Sequence, residues 1–168
     1  VYGNNILDGN FNIWGGLRQY TPEGNYFLTP NPDMTLTVPA ATENVITFGG
    51  YDNVTNAFYP KSGRGFTREN RIKPDLTAPA VNVYGPGISG GYIRRTGTSV
   101  ACALGAGACA QILQWGIVED NEPYMKNNYI KNYLIRGAER NRDIRYPSEQ
   151  WGYGTINVFD SFLILTRT

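Results

Sequence analysis

Histidine is absent from all 168 residues, so the chain has no imidazole to serve as a base or a metal ligand. Cysteine is scarce, at Cys102 and Cys109 only. Seven residues apart on a helix, these two stand about 10 Å apart along the axis. That exceeds the roughly 7 Å Cα separation a disulfide can span, so both read as free, buried thiols. Neither sign of charge is in excess: 15 Lys and Arg face 14 Asp and Glu, for a net charge of +1. With no basic block, the charge argues against nucleic acid and anionic membrane as partners. The longest unbroken apolar run, Val100 to Ala110, falls short of the ~18 residues of a membrane span. Signal-peptide pattern, initiating Met, internal repeat and low-complexity tract are all missing, and Val1 is expected to be a cut end. There remains enough chain for one ordinary domain with a sizeable core.

The densest information lies in Gly97-Thr98-Ser99-Val100-Ala101 and the small-residue run from there to Trp115. Gly91 to Thr96 alternates as a short strand does, and Val100 to Trp115 has only Gln111 and Gln114 as polar side chains. Strand, tight turn and buried helix together put Ser99 at a helix N-terminus, beside unpaired N–H groups and the positive end of the dipole. A nucleophile that must stabilise an oxyanion wants that position. A serine that simply caps a helix wants it too. Gly105 and Gly107 would each cost about 1 kcal/mol in an exposed helix, which points to close packing at both.

Gly97-Thr98-Ser99 with Gly105-Ala106-Gly107-Ala108 resembles the nucleophile segment of the subtilisin-like serine proteases. Three further blocks resemble segments of that family in the family's order: Glu43 to Gly50, Lys73 to Pro79, and Trp151 to Asn157. The resemblance runs from about Leu36 to the C-terminus and is nearest to the clostridial spore-germination branch, in which a jelly-roll is inserted before this half. It implies an α/β fold: residues 35–168 would be the C-terminal part of a doubly wound, mostly parallel sheet. Residues 1–34 would be a β-rich segment at the end of the inserted jelly-roll, or else an irregular extension.

In this family the acid and the base precede the serine. The resemblance therefore implies an N-terminal portion carrying Asp and His, with the present chain inactive alone. Ser99 would be catalytic, Gly97 and Thr98 would line the substrate, and the substrate would be a protein or peptide. No cofactor is implied; structural calcium is common in the family, but no ligand set is legible. The place of action would be extracytoplasmic or spore-associated. A subtilase fold kept as a pseudoprotease or regulatory partner is the alternative. Asn25, in Glu23-Gly24-Asn25, lies in the wrong context for the family's oxyanion asparagine. A Ser–Lys dyad using Lys61, Lys73, Lys126 or Lys131 has no recognisable spacing. Two positions depart from the family pattern, Ala103 where proline is usual and Ala80 where glycine is usual.

Elsewhere, Ile6-Leu7 and Phe11 to Trp14 read as extended pieces about an Asp8-Gly9-Asn10 turn, with Phe11 and Ile13 on one face. Pro22, Pro30 and Pro32 interrupt the stretch from Gly15 to Pro32. Thr35 to Val38, Val45 to Tyr51 and Val81 to Val83 read as strands, and Tyr84 to Gly91 as a loop. Asp52 to Thr55 fits a turn, a weak cation site or a glycosylation sequon. Lys61 to Gly65 reads as a flexible loop. Asp75 tempts as a catalytic acid, but the resemblance implies that it is not the triad member and is a structural hydrogen-bond acceptor. Gly116 is expected to end the first helix. A second is expected from about Pro123 to Gly137, with Met125, Tyr129, Tyr133 and Leu134 on its apolar face, and a third over Ile156 to Leu165.

Overall fold

The computed structural model describes residues 4–16 and 20–166. The chain divides into two compact units, Val1–Asn31 and Pro32–Thr168. In the first, the described residues form no strand. Asn10 N–H bonds to Asp8 Oδ1 (3.0 Å), and Asn25 N–H turns back to Pro22 O (3.2 Å). Phe11 and Ile13 are both exposed, the extended pieces expected here do not pair, and the described residues of this unit are irregular.

In the second unit the apolar run around Val45 yields β1 (Phe48–Asp52), which pairs in parallel with β3 (Leu76–Pro79), Phe48 facing Leu76. The short β2 (Ala57–Phe58) returns antiparallel on the other side of β1. Asp52 turns the chain between them. Its carboxylate accepts the Val54 N–H (2.9 Å), and that bond holds its pKa below the ordinary value. Beyond β3, Thr77 exchanges hydrogen bonds with the Gly154–Ile156 segment, and Thr155 bridges on to Glu139. The closing block thus extends the sheet, and Trp151 packs on Tyr51 and Phe58.

Thr35 to Val38 is not a strand. Thr35 instead gives its N–H to Arg64 O and its hydroxyl to Pro32 O. Nor is Lys61 to Gly65 loose: the buried Ser62 hydroxyl accepts Gly50 N–H (3.0 Å). Tyr84 to Gly91 is only partly a loop. β4 (Val83–Pro86) and β5 (Tyr92–Arg95) form an antiparallel ribbon around Gly87 to Gly91.

Helix α1 (Thr98–Leu113) lies across β1 and β3, burying Ala101, Gly105, Ala108 and Ile112. A Cβ at Gly105 would overlap the Phe48 ring, whereas one at Gly107 would meet nothing within 4 Å. Close packing therefore explains the first glycine and not the second. Gly116 does not stop the helix. The chain continues as a π-helical turn, Gln114–Val118, in which Gly116 lets Met125 approach, and Asp120 (φ 60°) breaks it. Thr98–Val118 is thereby long and apolar enough to cross a membrane by length and composition, although its buried stripe here rests on the sheet.

α2 (Asn127–Arg136) begins later than Pro123 signals, and its buried stripe is Ile130 and Leu134. α3 (Val158–Leu165) is capped by Asn157, whose side chain accepts Asp160 N–H. Leu76, Ile112, Leu134 and Leu165 meet in the core between sheet and helices.

Candidate active site

β5 feeds directly into the turn that carries Ser99. Thr96 Oγ1 accepts the Asn82 N–H (2.9 Å), and Gly97 N–H bonds to Ala80 O (2.8 Å). Ala80 in turn donates its own N–H to Tyr51 O (2.8 Å). Two backbone bonds therefore tie the turn to the carboxyl ends of the parallel strands β1 and β3, where α/β sheets place their ligands.

Gly97 is the N-cap of α1, with φ 154° and ψ 158°, a backbone region open essentially to glycine alone. A Cβ there would also lie 3.3 Å from Ser99 Oγ. Glycine at this position keeps the space over the serine oxygen clear. Ser99 sits one residue inside the first turn and caps nothing. Its side chain is exposed. The first amides of α1, those of Thr98 and Ser99, have no hydrogen-bond acceptor among the described residues. A carbonyl oxygen that gains negative charge beside Ser99 would meet those donors and the positive end of a 16-residue helix. Of the other two residues singled out in the sequence, Gly97 lies beside the Ser99 hydroxyl, whereas the Thr98 methyl is directed toward Gly50.

The two departures from the family pattern leave this arrangement intact. Ala80 is fully buried and keeps φ out of the left-handed region, so glycine is not required of its backbone. Its methyl faces Gly50, where a Cβ would come within 2.7 Å of it. At Ala103 the helix simply runs on, with that residue exposed.

Two of the four lysines considered as bases, Lys73 and Lys131, are differently employed. Lys73 is buried and bonds to Asp75 Oδ2 (2.7 Å) and Val45 O (2.7 Å). Burial lowers its pKa, against the pull of Asp75. Lys131 reaches Asp75 Oδ1 (3.2 Å) and Glu43 O (3.0 Å). Asp75 also accepts Thr47 N–H (2.7 Å) and so knits Thr47, the start of β3 and α2 together. Sequence reasoning placed Asp75 as an acceptor but missed both of its lysines, one of them two residues away.

Cys102 is exposed rather than buried, and Cys109 is half-buried, its thiol pKa raised by burial and by the nearby Cys102. Among the described residues, no group of three His, Cys, Asp or Glu side chains is placed to hold a metal.

Comparison with known proteins covers most of the chain. The sequence profile of the subtilase family matches residues 9–154. The chain is 28% identical over 151 residues to the serine protease AprX of Bacillus subtilis, a match covering 77% of this chain and 32% of AprX. It is 31% identical over 137 residues to the human membrane-bound transcription factor site-1 protease, covering 78% of this chain and 12% of that protein. The solved structure of the Clostridium perfringens CspB protease superposes with a TM-score of 0.80 at 37% identity, covering 84% of this chain and 31% of that one. In each case the chain spans about a third or less of the relative's length.

Proposed function

The chain belongs to the subtilase family, and from that premise we propose that it is the serine-bearing, C-terminal portion of a serine endopeptidase. Ser99 Oγ attacks the scissile carbonyl, and the Ser99 backbone N–H donates to the oxyanion. Gly97 and Thr98 form the wall beside the substrate, with the Thr98 hydroxyl a weaker contact. The serine proton passes to a histidine oriented by an aspartate, both on the N-terminal portion of the parent protein. The amine leaves with that proton, and water hydrolyses the acyl-serine. No cofactor enters this chemistry. The extracytoplasmic or spore-associated setting belongs to the same proposal and rests on the resemblance alone.

The observation that carries this reading is an exposed hydroxyl one residue inside α1, beside two unpaired amides, on a glycine whose backbone keeps the oxygen uncovered. The outer flank of α1 supports the missing portion. Cys102, Leu104, Ala106 and Ala110 are apolar or small and at least partly exposed, so a partner that covers them and brings the base meets two needs at once.

Loss of the base in such a triad costs on the order of 10⁶ in turnover, a magnitude established in subtilisin, a member of this family. A fluorophosphonate probe is therefore expected to label Ser99 in the full-length protein and hardly at all in these 168 residues alone. Strong labelling of the shorter chain would contradict the assignment of the base. Absence of labelling in the full-length protein would contradict the nucleophile.

A further inference from the structure

The ribbon ahead of the serine carries a surface that the chemistry of Ser99 does not use. Tyr84 and Arg94 are direct cross-strand partners, and Tyr92, two residues from Arg94, shares their face. The two tyrosine rings stack at 5.5 Å with an interplanar angle of 5°. The Arg94 guanidinium lies 5.7 Å from the centre of the Tyr84 ring. Both tyrosines are about two-thirds exposed, at 65% and 69%, so this is an ordered aromatic and cationic platform facing solvent.

Its charge is uncompensated. From Leu76 to Val118 the sequence contains no Asp or Glu, and Arg94 has no ion pair among the described residues. Stacking on Tyr84 restrains the guanidinium while leaving its N–H donors for a planar acceptor such as a carboxylate. Tyrosine and arginine are also among the residue types enriched at the hot spots where polypeptides dock. Arg94 lies five residues before Ser99, so the chain between them spans at most about 17 Å. That is the reach of about five extended substrate residues.

We propose that Tyr84, Tyr92 and Arg94 form a docking platform for the polypeptide substrate, selecting an acidic side chain within about five residues of the bond cleaved. The carboxylate pairs with Arg94, and the neighbouring substrate residue lies on the tyrosine stack. This rests on Ser99 being the nucleophile, and the two ideas fail separately.

The test uses full-length protein and internally quenched peptides in which one Glu, or Gln in its place, is moved through five positions on each side of a cleaved bond. At one or more positions Glu is expected to raise kcat/KM about fivefold over Gln, mainly through KM, as one partly exposed charge pair would. The ratio falls with added salt. Arg94→Gln brings the ratio to one, Arg94→Lys retains part of it, and Tyr84→Ala reduces it. Fluorophosphonate labelling of Ser99 in each variant reports separately whether the nucleophile remains assembled. With labelling intact, a wild-type ratio of one at every position, or a ratio that survives Arg94→Gln, overturns the platform. If Ser99 does not label even in the wild type, the nucleophile reading has failed. Fluorescence anisotropy of the same Glu and Gln peptides, with the same Arg94→Gln comparison, then decides the platform by itself.

Discussion

Asp75 is 3% exposed and is met by two ammonium groups and a backbone amide. Removing one partner of a buried ion pair leaves the other charge uncompensated, at a cost of about 3–5 kcal/mol. Asp75→Asn is expected to lose stability of that order, because Lys73, at 2% exposure, has no route to water. Lys131, at 19%, can turn outward, so Lys131→Met should cost only about 1 kcal/mol or less. Urea midpoints of the two variants check the contrast, and equal losses would show that Lys131 is held as firmly as Lys73. The residues at the serine obey a different rule. Gly97, Thr98 and Ser99 are held by backbone bonds, and their order in the sequence was enough to single them out. Asp75 could be recognised as an acceptor from the family resemblance of its segment, Lys73 to Pro79. Lys131, 56 positions further on, could not, since only the packing of α2 brings it there.

Among the elements, β5, the turn and α1 were legible because each declares itself locally, by alternation, glycine and a run of small residues. β4 was not. Its Gly85 and Pro86 read as loop, and they become strand only because β5 returns to pair with them. The end of α1 was misread for a related reason: Gly116 looks like a stop in sequence but serves as a gap for Met125. Helix α1 also separates two glycines that sequence treats alike. Gly105→Ala drives a methyl into the Phe48 ring and should destabilise by about 1–3 kcal/mol, as overpacking does. Gly107→Ala meets open space and should stabilise this chain by up to about 1 kcal/mol through helix propensity. Thermal unfolding of the two variants of the 168-residue chain measures both signs. A destabilising Gly107→Ala would contradict the open space over that flank.

At the scale of the whole molecule, the second unit has a packed interior on one side of α1 and bare apolar side chains on the other. Leu104 in α1, and Ile117 and Val118 in the turn that continues it, are 41%, 45% and 76% exposed, and exposed apolar side chains of this kind are what an interaction face would cover. The chain expressed alone is therefore expected to bind the dye ANS and enhance its fluorescence severalfold. Assembly with the proposed N-terminal portion should suppress that signal. Unchanged dye binding in the assembled protein would place the partner surface elsewhere. The first unit was less legible than the second, because Pro22, Pro30 and its many Gly and Asn residues leave few stretches long enough to carry a periodic pattern.

The bond from Gly97 N–H to Ala80 O, and from Ala80 N–H to Tyr51 O, has a thermodynamic corollary. The loss of freedom needed to aim the serine oxygen is incurred while β1 and β3 zip together. Under the proposed function, it would not have to be met again when the proposed N-terminal portion or a substrate arrives. Either one would then encounter a half-socket whose corner at Ser99 is already set, and recognition would reduce to fitting against it.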